Sequence, residues 1–150
     1  MASRPATRAQ ASEAALRAMA IILDADVIIA GERGAFRLDC FASRSNEKFQ
    51  IAAITVAELW HGVEGATEQH RSVREEYLRT LIESVQVLSY TELTAYRHAR
   101  IWADLESAGK MISAYDLIVA ATALENDTPL ATFNKRHFAG ISGLNLIEPK

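Results

Sequence analysis

At 150 residues the chain has the length of one ordinary domain and can bury a sizeable core. Apolar residues make up 49% and charged residues 23%, with only 7 Gly and 3 Pro, a mix that excludes collagen-like and Pro/Gly-rich disordered classes. The net charge of −3, from 16 Lys and Arg against 19 Asp and Glu, excludes a polycation that holds nucleic acid by charge alone. The lone Cys40 rules out an internal disulfide and a thiolate metal cage; it reads as a small core hydrophobe in a reducing, cytoplasmic setting.

The elements follow in chain order. Residues 1–18 are rich in Ala, Ser and Arg with almost no large apolar side chains, and are expected to form a flexible N-terminal extension before a domain over 19–150. Met19 opens the apolar run Ala20–Leu23, which predicts a buried first strand. Asp24 and Asp26 interrupt the apolar stretch from Ala18 to Ala30, so no membrane span is expected there, and no cleavage-site pattern marks a secretory signal. Val27–Ile29 open a helix whose expected N-cap is Asp26. Phe49–Ala53 predicts a second strand. A helix from Thr55 follows, with Val56, Leu59, Trp60 and Val63 on one face.

Arg71–Ser84 reads as a charged amphipathic helix, with Tyr77, Leu78, Leu81 and Ile82 on its apolar side, and Val85–Leu88 as a third strand. Thr91–Ala108 is a long helix closed by Gly109. Ser113–Glu125 is a helix apolar on nearly every side, and Pro129–Thr132 and Leu144–Ile147 are the last strands. Strands alternating with helices predict an α/β fold with a parallel sheet covered on both faces.

Three apolar windows each contain charges of one kind only. Asp24 and Asp26 are alone between Arg17 and Glu32, Glu58 is alone between Lys48 and Glu64, and Asp116 is alone between Lys110 and Glu125. An unpaired ionised group costs several kcal/mol to bury, so these positions need a reason. Taken singly each has a structural one: Asp24 and Asp26 as helix caps, Glu58 in a T-x-x-E capping box with Thr55, and Asp116 in S-x-x-D with Ser113. Glu58 also lies opposite the Val56/Leu59/Trp60/Val63 stripe, where water is expected.

Taken together they point elsewhere. Asp24 ends a strand, and Glu58 and Asp116 are expected in the first turns of helices, so all three share the sheet edge where open α/β folds bind ligands. Converging carboxylates repel unless a cation lies between them, and oxygen-only donors select Mg²⁺ or Mn²⁺.

These residues carry a family resemblance. Ile22-Leu23-Asp24-Ala25-Asp26-Val27-Ile28-Ile29-Ala30 resembles the opening strand and turn of PIN domains. Thr55-Val56-Ala57-Glu58-Leu59-Trp60-His61-Gly62-Val63 resembles their T-x-x-E-L-x-x-G block. Asp116-Leu117-Ile118-Val119-Ala120-Ala121-Thr122-Ala123 is similar to D-x-L-I-A-A-T-A, and Thr132-Phe133-Asn134-Lys135-Arg136-His137-Phe138 to the closing T-x-N/D-x-x-x-F. The four blocks stand in order over residues 20–148, most similar to VapC-type toxins of bacterial toxin–antitoxin pairs.

The resemblance implies a PIN-like three-layer α/β/α sandwich with a central parallel sheet. It implies a Mg²⁺-dependent (or Mn²⁺-dependent) endoribonuclease that cleaves RNA by metal-activated water, a cognate antitoxin and a homodimer. By matching positions, Asp24, Glu58 and Asp116 are the metal-binding acids, Asn134 is the fourth catalytic position and Thr132 the supporting hydroxyl; Asp26, Lys135 and Arg136 are candidates for support beside them. The chain departs from the pattern at Ala25, where Thr is common, at Asp26, where Ser or Asn is usual, and at His137, where many members have Asp. His61, His70 and His98 read as helix-surface residues. Lys135-Arg136-His137 reads equally as a holder of RNA phosphate and as a solvated turn.

Two readings from other classes compete: an inactive PIN-like RNA-binding or regulatory scaffold, and a phosphatase using Asp24 of the D-x-D pair as its nucleophile. The latter lacks a paired acidic motif late in the chain.

Overall fold

Side chains of a strand alternate between its two faces. In β1 (Ala20–Leu23) both faces are apolar and all four residues are buried. Ile22 joins one core; Ile21 and Leu23 join another. Such a strand belongs in the middle of a sheet covered on both sides, and β1 holds that place in the computed structural model, which describes residues 7, 8 and 20–150. Apart from Thr7 and Arg8, the expected extension over 1–18 lies outside the described residues, as does Met19.

β2 (Lys48–Ala52), β3 (Gln86–Leu88), β4 (Leu130–Ala131) and β5 (Leu146–Ile147) complete a sheet of order β3-β2-β1-β4-β5, parallel at every pairing. Helices α1 (Ala25–Glu32), α2 (Leu38–Ser45), α3 (Ala53–Glu64) and α4 (Glu68–Ser84) pack on the face bearing Ile21, Leu23 and Ile51. Helices α5 (Glu92–Ser107), α6 (Ala114–Glu125) and α7 (Lys135–Phe138) pack on the face bearing Ile22, Ala52 and Leu130. This is the expected α/β/α sandwich.

α6 lies between α5 and the sheet, which is why its apolar residues are not confined to one stripe. Leu117, Val119, Ala120, Ala121 and Ala123 are all buried, and the alanines let its neighbours approach closely.

Several local expectations are corrected. α1 starts two residues earlier than expected: Asp24 is extended (φ −73°, ψ 154°) and is the N-cap, so Asp26 lies inside the first turn and is not the cap. α3 starts at Ala53, with Ala52 as a cap lacking any side-chain bond. Thr55 is therefore inside the helix, buried, with its hydroxyl unpartnered, and the T-x-x-E capping box does not form. Glu58 consequently sits in the second turn, not the first. Cys40 is exposed, not a core residue, because α2 turns its next residue, Phe41, inward. Helices α2 and α7 were not anticipated; both are short, and α7 is mostly basic.

Candidate active site

After β3 the chain passes back across β1 and lays β4 on its far side, so the direction of strand addition switches between β1 and β4. A crevice opens at the carboxyl ends of such a strand pair. Asp24 follows β1 and Thr132 follows β4. Both are buried, and Thr132 Oγ1 donates to Asp24 Oδ2 at 2.8 Å. The other carboxylate oxygen, Oδ1, accepts from the Ala25 N–H at 2.9 Å. Asp24 thus caps α1 and faces the crevice at once.

Asp26 spans the same gap from the first turn of α1. Its Oδ2 accepts from the Phe133 N–H at 3.1 Å and lies 3.3 Å from Thr132 Oγ1. Thr132 Oγ1 in turn accepts from the Asn134 N–H at 3.0 Å. One hydroxyl proton faces two carboxylates, and the shorter distance gives it to Asp24. Asp26 Oδ1 is buried without a partner.

Glu58 is half-buried on α3, the helix that follows β2, and does not face open water as its place on the helix predicted. Burial chiefly, then the charges of Asp24, Asp116 and Asp26, pushes its carboxyl up to about 7. Asp24 is pushed up to about 6, again chiefly by burial and then by Asp26, against the lowering bonds from Thr132 and Ala25. Burial also raises Asp26, opposed first by the Phe133 N–H.

Asp116 comes to the site from the first turn of α6. Ser113 Oγ caps that helix by accepting from the Asp116 N–H at 3.1 Å, so half of the S-x-x-D reading holds. The Asp116 carboxylate goes elsewhere: its Oδ2 lies 3.2 Å from His137 Nδ1. Asn134 occupies the N-cap position of α7 but makes no side-chain cap bond, leaving its amide exposed at the site. Lys135 and Arg136 are exposed beside it, with Lys135 Nζ 4.0 Å from Glu148 Oε2.

The structure thus brings together Asp24, Asp26, Glu58, Asp116, Thr132 and Asn134. It leaves His61 and His70 exposed on α3 and α4, and His98 against Tyr90 and Trp102 on α5. Sequence reasoning missed two contacts, Asp26 with Phe133 and Asp116 with His137. Their separations of 107 and 21 residues leave no local pattern to read.

The donor set fits a hard divalent cation: every candidate ligand is an oxygen, one buried carboxylate oxygen is unpartnered, and like charges raise one another's pKa. Among the described residues no three Asp, Glu, His or Cys side chains already form a closed ligand set.

An all-parallel α/β/α sandwich with carboxylates collected at the switch point defines a class of acidic-site α/β proteins. The sequence profile of the PIN domain matches residues 21–144, and the chain belongs to that family. It is 29% identical over 133 residues to ribonuclease VapC1 of Rickettsia felis, covering 86% of this chain and 96% of that one. It is 33% identical over 120 residues to ribonuclease VapC10 of Mycobacterium tuberculosis, covering 79% and 85%. Among solved structures, VapBC-1 of nontypeable Haemophilus influenzae superposes with TM-score 0.77 at 27% identity, covering 87% of this chain and 98% of that one. VapBC2 of Rickettsia felis, solved bound to a promoter DNA fragment, superposes with TM-score 0.78 at 20% identity, covering 88% and 100%, a likeness of fold. No helix among the described residues is long and apolar enough to cross a membrane.

Proposed function

We propose that this chain is a Mg²⁺-dependent endoribonuclease, with Mn²⁺ an alternative cation, and that it acts in the cytoplasm as the toxin of a toxin–antitoxin pair. The observation that carries the reading is the convergence of Asp24, Glu58 and Asp116 from three different elements on one crevice, where their charges oppose one another. Relatives named ribonuclease VapC, and solved complexes named VapBC, supply the substrate class and the antitoxin partner.

Asp24, Glu58 and Asp116 would hold the cation. When bound, it supplies Lewis-acid activation of water and neutralises charge developing at phosphorus. The chain's own residues do the rest. The Thr132 hydroxyl fixes the Asp24 carboxylate, so its orientation does not have to be found during the reaction. Asp26 ties the turn that carries Thr132 and Asn134 to α1. The exposed Asn134 amide offers a neutral hydrogen-bonding group, and Lys135 and Arg136 offer positive charge to phosphates that the carboxylates repel. An exposed free thiol at Cys40 suits a reducing compartment.

The proposal includes a homodimer. Leu93 (62% exposed) and Tyr96 (65%) stand one turn apart on the outer side of α5, an apolar surface of the kind that partners cover. The aspartate-nucleophile reading gains nothing, since no paired acidic motif stands late in the chain. The test is cleavage of a defined RNA with Mg²⁺ and with excess chelator: cleavage confined to Mg²⁺ supports the reading, and hydrolysis of small phosphate monoesters instead of RNA overturns it.

A further inference from the structure

Phe133 stands in the turn after β4, between Thr132 and Asn134, and its backbone N–H donates to Asp26 Oδ2 at 3.1 Å. Its ring is 38% exposed and meets Phe36 edge to face, with centroids 5.3 Å apart. That contact is the end of a row. Phe36 meets Phe41 at 5.8 Å, and Phe41 stacks on Phe49 at 5.4 Å with 21° between the ring planes. Four rings therefore run from β2, through α2 and the loop before it, to the turn that carries Thr132 and Asn134.

The row is fixed beneath Phe133. Gly34, at φ +72°, turns the chain back after α1, a backbone state that glycine adopts without strain. The N–H groups of Ala35 and Phe36 then donate to the Ala30 carbonyl at 2.9 and 3.2 Å, and Phe41 is buried in the core. Asp26 and Phe36 are thus both fastened to α1, and they hold Phe133 at two points, its N–H and its ring. A residue held at one point can pivot about it; a second point stops the pivot.

The turn has little else to hold it. β4 is two residues long, and the Thr132 N–H makes the last bond to the neighbouring strand, to Ile147 O at 3.0 Å. Beyond it the Phe133 and Asn134 N–H groups bond to side chains of the site, Asp26 and Thr132. A shift of Phe133 therefore pulls on the Thr132 hydroxyl that orients Asp24.

Resting on the nuclease reading above, we propose that Phe36 is a positioning residue: its ring, backed by Phe41 and Phe49, locks Phe133 and so keeps Asn134 and the Thr132 hydroxyl in register with Asp24. A ring that only fills space between α1 and α2 is the competing role, and it would act on stability alone.

The test is amide exchange in the full-length, metal-free protein, followed by NMR, with cleavage of a defined RNA under Mg²⁺ measured alongside. Wild type is compared with Phe36→Leu, Phe36→Tyr, Phe133→Leu and the Phe36→Leu/Phe133→Leu double variant. Leu81→Ala, at the edge of the same core, controls for general loss of packing. One aromatic pair shifts an equilibrium by about 2- to 10-fold. Phe36→Leu is expected to speed exchange at Phe133 and Asn134 by that factor, and to lower kcat similarly with KM unchanged. Phe36→Tyr is expected to restore both. Phe133→Leu breaks the same contact from its other side, which keeps the test open should Phe36→Leu fold poorly. The double variant is expected to be no worse than either single one, because both act through one contact.

Wild-type exchange at Phe133 and Asn134 in both single Leu variants would overturn the proposal, as would additive losses in the double variant. So would equal losses in Leu81→Ala, which assign the ring to packing alone. If the exchange pattern holds but wild type never cleaves RNA, the nuclease reading fails and the positioning of the turn stands.

Discussion

The Asp26 carboxylate accepts a hydrogen bond from the backbone N–H of Phe133, 107 residues further along the chain, at 3.1 Å. The bond joins the first turn of α1 to the turn after β4, and so fixes the relative places of Asp24, Thr132 and Asn134. Asp26 is neither the helix cap nor one of the three convergent acids; it clamps the loop that carries the fourth position.

Replacing that clamp separates its charge from its geometry. Asp26→Asn keeps an acceptor oxygen for the Phe133 N–H and is expected to melt close to wild type. Asp26→Ala leaves that N–H unpaired and is expected to cost about 1–3 kcal/mol. Thermal melting of the metal-free proteins checks both. Equal melting of the Ala and Asn variants would show that the clamp carries no stability.

The raised carboxyls make stability depend on pH. Asp24, pushed up to about 6, and Glu58, pushed up to about 7, keep protons in the folded metal-free protein that the unfolded chain has already released. Stability therefore falls as pH rises from about 4 to about 7. The Asp24 share is on the order of 3 kcal/mol, while solvent screening shrinks that of the half-exposed Glu58. Asp24→Asn lacks this penalty, so its melting temperature relative to wild type is expected to rise across that window. Mg²⁺ at pH 7 is expected to stabilise wild type and not the variant. A difference independent of pH and Mg²⁺ would contradict the electrostatic account.

The outer side of α5 is expected to join two copies of the chain. Glu at both Leu93 and Tyr96 places charge in that surface without touching the buried Ile101 and Leu105 on the inner side. Sedimentation at micromolar concentration is expected to give a dimer for wild type and a monomer for the double variant. A wild-type monomer would remove the claim.

Much of this was legible in the residues. Ile21, Ile22 and Leu23 are apolar at every position because β1 is covered on both faces, and that pattern shows in a single sequence. Asp24, Glu58 and Asp116 stood out because a lone charge in an apolar window is conspicuous. The true starts of α1 and α3 were not legible: Ala25 and Ala53 suit a helix or a strand end alike, and the sheet decides. Cys40 misled because its composition says buried while the side of α2 on which it falls says exposed. The Asp116–His137 contact depends on how α6 and α7 pack, and no local rule contains that.

The most direct test of the central claim is sequencing of new 5′ ends in total cellular RNA incubated with wild type and with Asp116→Asn, each with and without Mg²⁺. The carboxylate site predicts discrete cleavage sites for wild type with Mg²⁺ alone, none in chelator, and none above background for a correctly folded Asp116→Asn. It also predicts no 2′,3′-cyclic phosphate at the matching 3′ ends, because water and not the neighbouring 2′-hydroxyl attacks phosphorus. Cleavage that persists in chelator, or that Asp116→Asn retains at near wild-type rate, would contradict it.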